Sequence, residues 1–206
     1  MPKKKNRPEQ KLKPRLHIFC EGEKTEPNYL KGYVNQTFPG IRLIVVEKSK
    51  TNTPVQLVEE ALEAKRREPE DDIFWVVYDR ESTIKYKNAL HSEARQKAGN
   101  HIRIALSNVC FEVWLLLHFQ NSSAPYTSCA DLLKRSNLKK HIKDYDKANN
   151  RTYSSEEIEF ARKNAKHMNI QTKKGANSLK HLHQWNPYTD VHKLLDAIDD
   201  FGKKHI

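Results

Sequence analysis

The chain has 206 residues, 37% of them hydrophobic, which suits one real core plus appendages and excludes an assembly of several large domains. Its longest apolar stretch, "FEVWLLLHF" from Phe111, falls well short of the roughly 20 residues a spanning helix needs, and it carries Glu112. The net charge of +11 is clustered: residues 1–15 carry +6, residues 131–185 carry +7, and the remainder sums to −2. A near-neutral body with a basic arm and a basic C-terminal region is the pattern of a protein that meets nucleic-acid phosphates, although a lysine-rich solvated surface has the same composition.

In chain order, "MPKKKNRPEQKLKPR" is too polar to offset its own ordering entropy and is expected to be a flexible arm over residues 1–15. "RLHIFCEG" predicts a short strand closed by Gly22, and "TEPNYLKGYVNQTF" a helix opened by Thr25 with Glu26 and Pro27 in its first turn. "IRLIVVEKS" predicts a second strand, and "TPVQLVEEALEAKRREP" a helix with Val55, Val58, Ala61 and Leu62 on one stripe. "DDIFWVVYDRES" reads as a third strand buried on both faces; a helix over about 84–98 and a strand at "HIRIALS" follow. This order implies a mostly parallel sheet with helices on both faces. Residues 109–119 and 127–135 predict helices, "YSSEEIEFARKNAKHM" one with a capping box at Ser154 or Ser155 with Glu157, and "NPYTDVHKLLDAIDDFGKK" a last helix. The expected organisation is an arm (1–15), an α/β core (16–120) and a basic helical region completing the same domain (121–206).

Two predicted strands end in acids. Glu21 follows the first; Asp79 and Glu81 follow the third and, in extended backbone, point the same way. Ligands of open parallel sheets bind beyond the carboxyl ends of the strands, and converging carboxylates there form the oxygen cage that suits Mg²⁺ or Mn²⁺ and phosphoryl chemistry. Glu26 either caps the following helix or joins the metal shell. Ser107, Asn108 and Glu112 sit where the fourth strand enters the next helix; Asn108 and Glu112 either line the site or cap that helix. Gly22 and Lys24 are placed beside Glu21 as site-lining residues. Lys173, Lys174 and Lys180, around Gly175, are expected to contact phosphates from a mobile loop, with a merely solvated loop as the alternative. His141, His167, His181 and His183 have no cysteine pair with them, so zinc is not expected there. Cys20, Cys110 and Cys129 show no CxxC spacing and no signal-like leader is evident, so a reducing cytoplasm is expected. Neither a P-loop nor a dinucleotide-binding glycine motif is present.

The blocks "FCEGEKTEPNYLKGY", "VVYDRES", "SNVCFEVWLLLHF" and "NPYTDVHKLL", in this order from about Leu16 to Leu195, resemble the RloB-like proteins of bacterial abortive-infection and restriction-associated loci. The core of that family resembles the Toprim domain of topoisomerases, primases and OLD nucleases. The resemblance implies a Toprim-like, Rossmann-like fold and a metal-dependent nuclease acting on RNA, tRNA included, or DNA in anti-phage defence. It further implies Glu21 as general acid/base, Asp79 and Glu81 as ligands of Mg²⁺ or Mn²⁺, and a partner ATPase. The second acid of the usual D-x-D is here Glu81, one methylene longer. A non-catalytic nucleic-acid-binding or effector module is the alternative.

Overall fold

A computed structural model describes residues 12–51, 53–143, 145–146, 151–176 and 178–205. Residues 1–11 of the expected arm lie outside the described residues. Strands and helices alternate through the first half as β1 (Leu16–Cys20), α1 (Thr25–Thr37), β2 (Ile44–Lys48), α2 (Pro54–Lys65), β3 (Ile73–Asp79), α3 (Asn88–Ala98) and β4 (Arg103–Asn108). They continue as α4 (Glu112–Leu117), α5 (Cys129–Arg135), α6 (Leu138–His141), α7 (Ser155–Gly175), β5 (Tyr188–Thr189) and α8 (Val191–His205).

Helix starts follow local chemistry. The Thr53 hydroxyl accepts the Gln56 N–H at 3.3 Å with Pro54 opening α2. At α7 the Ser154 hydroxyl accepts the Glu157 N–H (3.2 Å) while the Glu157 carboxylate accepts the Ser154 N–H (2.9 Å), the predicted capping box.

The sheet order is β2-β1-β3-β4-β5, with the first four strands parallel and β5 antiparallel to β4. Alternation along each strand feeds two cores. Leu16, Ile18, Cys20, Trp75, Val77 and Ala105 pack toward α1, α4, α7 and α8, while Phe19, Phe74, Val76, Tyr78 and Leu106 pack against Leu57, Val58 and Ala61 of α2 and Ala94 and Ala98 of α3. The first core runs from Leu16 to Phe201, so residues beyond 120 share it with the sheet. Buried Arg162 fastens this layer: it pairs with Asp196, with Asp199 at 2.8 Å, and donates to the Tyr33 hydroxyl at 2.8 Å, joining α7, α8 and α1.

The helices expected over 109–119 and 127–135 shorten to α4 and α5, and three further boundaries move. α3 begins at Asn88 rather than near 84, because the Arg80 guanidinium holds the Tyr86 carbonyl and the Asn88 side chain, both at 2.8 Å, and fixes the preceding segment as a loop. The last helix begins at Val191 rather than at Asn186, since Tyr188 and Thr189 pair with Asn108 and Ser107 and cover the open edge of β4. Lys173 and Lys174 lie in the last turn of α7, which runs through Gly175 instead of ending before a loop. Among the described residues no helix is long and apolar enough to cross a membrane.

Candidate functional site

In this strand order the connection out of β1 runs to β2 on one side and the connection out of β3 runs to β4 on the other, so a crevice opens between the carboxyl ends of β1 and β3. Glu21 and Asp79 stand at its two lips. The Glu21 N–H bonds the Val77 carbonyl at 2.8 Å, carrying the β1–β3 ladder one residue past the strand. One carboxylate oxygen of Glu21 then accepts the Tyr86 hydroxyl at 2.8 Å and the other the Asp79 N–H at 3.3 Å. Gly22 turns the chain at φ +111°, a conformation side chains oppose, and a Cβ there would lie 3.6 Å from the Glu26 carboxylate. The first-turn acid of α1 thereby lies against Gly22, where its charge acts on Asp79.

Burial pushes the Glu21 carboxyl up, against the lowering effect of its bond to Tyr86. The Asp79 carboxyl is pushed well above its ordinary value, first by burial and then by the neighbouring charges of Glu26, Glu112, Cys129 and Glu21. Carboxylates brought together against their own repulsion, with oxygen donors throughout, have the donor chemistry of a hard divalent-cation site, and by residue type Glu21, Glu26 and Asp79 suit one. The full triad is not drawn tight, however. Among the described residues the His, Cys, Asp and Glu groups whose ligand atoms all fall within 4.8 Å are Cys110–Glu112–Cys129 and His17–Glu68–Asp72, and neither Glu21–Glu26–Asp79 nor Glu21–Asp79–Glu81 is among them.

Glu81 departs from the extended geometry expected of it. Its backbone is left-handed at φ +58°, its N–H bonds the Val109 carbonyl at 2.9 Å, and its carboxylate pairs with Lys85 at 2.6 Å. β3 ends at Asp79, so the alternation that would have aimed both acids alike stops there. Glu81 nevertheless borders the same cleft, together with Lys24 and Thr51.

The family model of the RloB-like protein matches residues 16–198. The chain belongs to the RloB-like family. No curated protein and no solved structure matches it.

The other sequence-predicted residues of this RloB-like chain fall in different places. Ser107 is buried and shares a hydrogen bond with the Thr189 hydroxyl at 2.9 Å, so it ties β4 to β5 and does not reach the acid cleft. The Asn108 amide donates to the carbonyls of His183 (3.1 Å) and Trp185 (2.7 Å); it borders a second cleft that touches the first at Glu81. Glu112, 1% exposed, lies beneath Asp79, where the Tyr145 hydroxyl (2.7 Å) and the Cys129 thiol (3.0 Å) donate to its carboxylate. Lys173, Lys174 and Lys180 are exposed, and Lys180 follows Leu179, which borders the second cleft. His183 stacks between His91 and His181 at 5.4 and 5.3 Å, and burial lowers its pKa to about 4.

Arg80, Tyr86 and Tyr145 escaped the sequence reading. Nothing in the sequence marks Arg80 as buried, or the two tyrosines as partners of glutamates 65 and 33 residues away.

Proposed function

We propose that this RloB-like protein is a nuclease of the Toprim type, dependent on Mg²⁺ or Mn²⁺, that cleaves RNA, tRNA included, or DNA in anti-phage defence alongside a partner ATPase. The observation that carries the reading is the meeting of Glu21 and Asp79 at the switch point of the sheet, with Glu21 accepting the Asp79 N–H. Glu21, Glu26 and Asp79 would hold the cation, with Glu81 at the margin of the cleft. When bound, the cation supplies positive charge for the phosphodiester and its leaving oxygen.

The residues of the chain do the rest. Burial keeps Glu21 readier than an ordinary glutamate to hold a proton, which suits a general acid/base, and the Tyr86 hydroxyl fixes its orientation. Exposed Lys173, Lys174 and Lys180 and the basic arm draw the strand in by its phosphates.

A second reading, a nucleic-acid-binding module without turnover, is favoured by one specific observation. Glu81 stands where the usual motif has Asp, in a left-handed conformation and already paired with Lys85. One pair of measurements separates the two: cleavage of mixed RNA and DNA with Mn²⁺, and affinity for the same strands in chelator, for wild type and Glu21→Gln. The nuclease reading expects wild-type cleavage that Glu21→Gln abolishes with binding intact or slightly tighter. Cleavage surviving in Glu21→Gln refutes the assigned role, and intact binding with no cleavage in either protein establishes the module.

A further inference from the structure

Behind the acid cleft, the end of β4, the start of α4 and the start of α5 bring three ligand-bearing side chains to one point. The Cys110 thiol, a Glu112 carboxylate oxygen and the Cys129 thiol all lie within 4.8 Å of one another. Cys110 and Glu112 are each 1% exposed, while Cys129 is partly open to solvent and supplies a way in. We propose that Cys110, Glu112 and Cys129 bind one divalent ion of borderline softness, of the Zn²⁺ class, at a centre distinct from the hard-cation site of the acid cleft.

The donor set decides the class of ion. Two sulfurs and one carboxylate oxygen suit Zn²⁺ and its neighbours and not Mg²⁺, which takes oxygen ligands and keeps its waters. The dimensions also agree: zinc–sulfur bonds of about 2.3 Å and zinc–oxygen bonds of about 2.1 Å put tetrahedral ligands roughly 3.5–3.8 Å apart. The Cys129 thiol already donates to one Glu112 oxygen at 3.0 Å, so the ion takes the place of that thiol proton with small movements of the ligands. The other Glu112 oxygen is fixed from outside by the Tyr145 hydroxyl at 2.7 Å, the kind of outer partner that orients a metal-binding carboxylate. Three protein ligands leave a fourth position open. An ion here pins α5 to the end of β4 and places positive charge beside Asp79.

The centre does not rest on the nuclease reading, and its test uses no cleavage. The full chain, stripped with chelator under reducing conditions, is titrated with Co²⁺ as a spectroscopic probe. Expected are a near-ultraviolet thiolate-to-metal band and visible bands of a tetrahedral ion, saturating at one Co²⁺ per chain, displaced by Zn²⁺ and indifferent to Mg²⁺. Cys110→Ser and Cys129→Ser should each weaken the thiolate band, and Cys20→Ser should keep it whole. Should a serine variant fail to fold, wild type alone still decides: Zn²⁺ should slow alkylation of Cys129 by on the order of tenfold or more, and Mg²⁺ should not. No thiolate band in wild type, a band that survives both substitutions, or alkylation that ignores Zn²⁺ overturns the proposal. So does recovery of Cys110 and Cys129 joined as a disulfide before reduction.

Discussion

Replacing Arg80 with methionine tests how the cleft is held open. The guanidinium, on a residue 3% exposed, donates to the His183 carbonyl (3.0 Å), the Tyr86 carbonyl (2.8 Å) and the Asn88 side-chain oxygen (2.8 Å). Methionine keeps the unbranched apolar stem of the side chain and removes every donor. All three acceptors lose the Arg80 contact, but the His183 carbonyl retains the Asn108 amide at 3.1 Å, so the loss is reckoned on the Tyr86 carbonyl and the Asn88 side chain. At about 1.5–3 kcal/mol for each hydrogen bond from a charged donor, less the relief of no longer burying the charge, the net loss is about 2–4 kcal/mol. For a chain of this length that lowers the melting temperature by about 5–15 °C. Urea unfolding in chelator measures it, with Arg80→Lys as the second arm. A single ammonium cannot serve three diverging acceptors, so lysine should recover less than half of the loss. A methionine variant within about 1 kcal/mol of wild type, or a lysine variant equal to wild type, refutes the reasoning.

The remaining predictions concern charge and packing. Asp79 and Glu21 have folded-state pKa values raised above their unfolded ones, so the stability they contribute is complete below the usual carboxylate range and is lost as pH rises through the raised values. In chelator, Asp79→Asn should therefore gain on wild type as pH rises above the usual carboxylate range, and Mg²⁺ or Mn²⁺ should raise the melting temperature of wild type but not of the variant; a pH-independent difference refutes this. Gly202→Ala puts a Cβ 2.5 Å from the Phe38 ring and should cost about 1–3 kcal/mol in chemical unfolding, and an unchanged midpoint contradicts that packing. Reversing Lys173, Lys174 and Lys180 together to glutamate should weaken nucleic-acid binding without sequence preference and flatten its salt dependence, and an unchanged salt slope excludes them as phosphate contacts.

The alternation of strands and helices was legible in the apolar runs themselves, and two helix starts were legible in caps that work locally: Thr53 with Pro54, and Ser154 with Glu157, need no tertiary context. The acids at the strand ends were legible through the rule that parallel sheets bind at their carboxyl edge. Distant partners were not. Tyr188 and Thr189 sit beside an amphipathic helix and read as its first turn, and the free edge of β4 alone makes them a strand. Glu81 reads as the twin of Asp79 until the Val109 carbonyl and Lys85 claim its backbone and carboxylate. Cys110 and Cys129 are 19 residues apart in sequence, and their meeting depends on how α5 docks at the end of β4.

The use of Arg80 bears on why the acids are there at all. Asp79 has a buried arginine as its next residue, and a carboxylate kept for structure would find its cheapest neutralisation there. The guanidinium instead turns to carbonyl oxygens and an amide, on the side of His183 and Asn88. Lys85, at the rim of the same cleft, pairs with Glu81. The Asp79 carboxyl meanwhile is pushed up by Glu26, Glu112, Cys129 and Glu21 as well as by burial. With Arg80 aimed at other acceptors and Lys85 acting on Glu21 and Glu81, the repulsion around Asp79 costs stability that the proposed cation would restore. It follows that divalent metal should stabilise the fold even where no substrate is present, so the thermal shift in Mg²⁺ or Mn²⁺ tests the site independently of any cleavage assay.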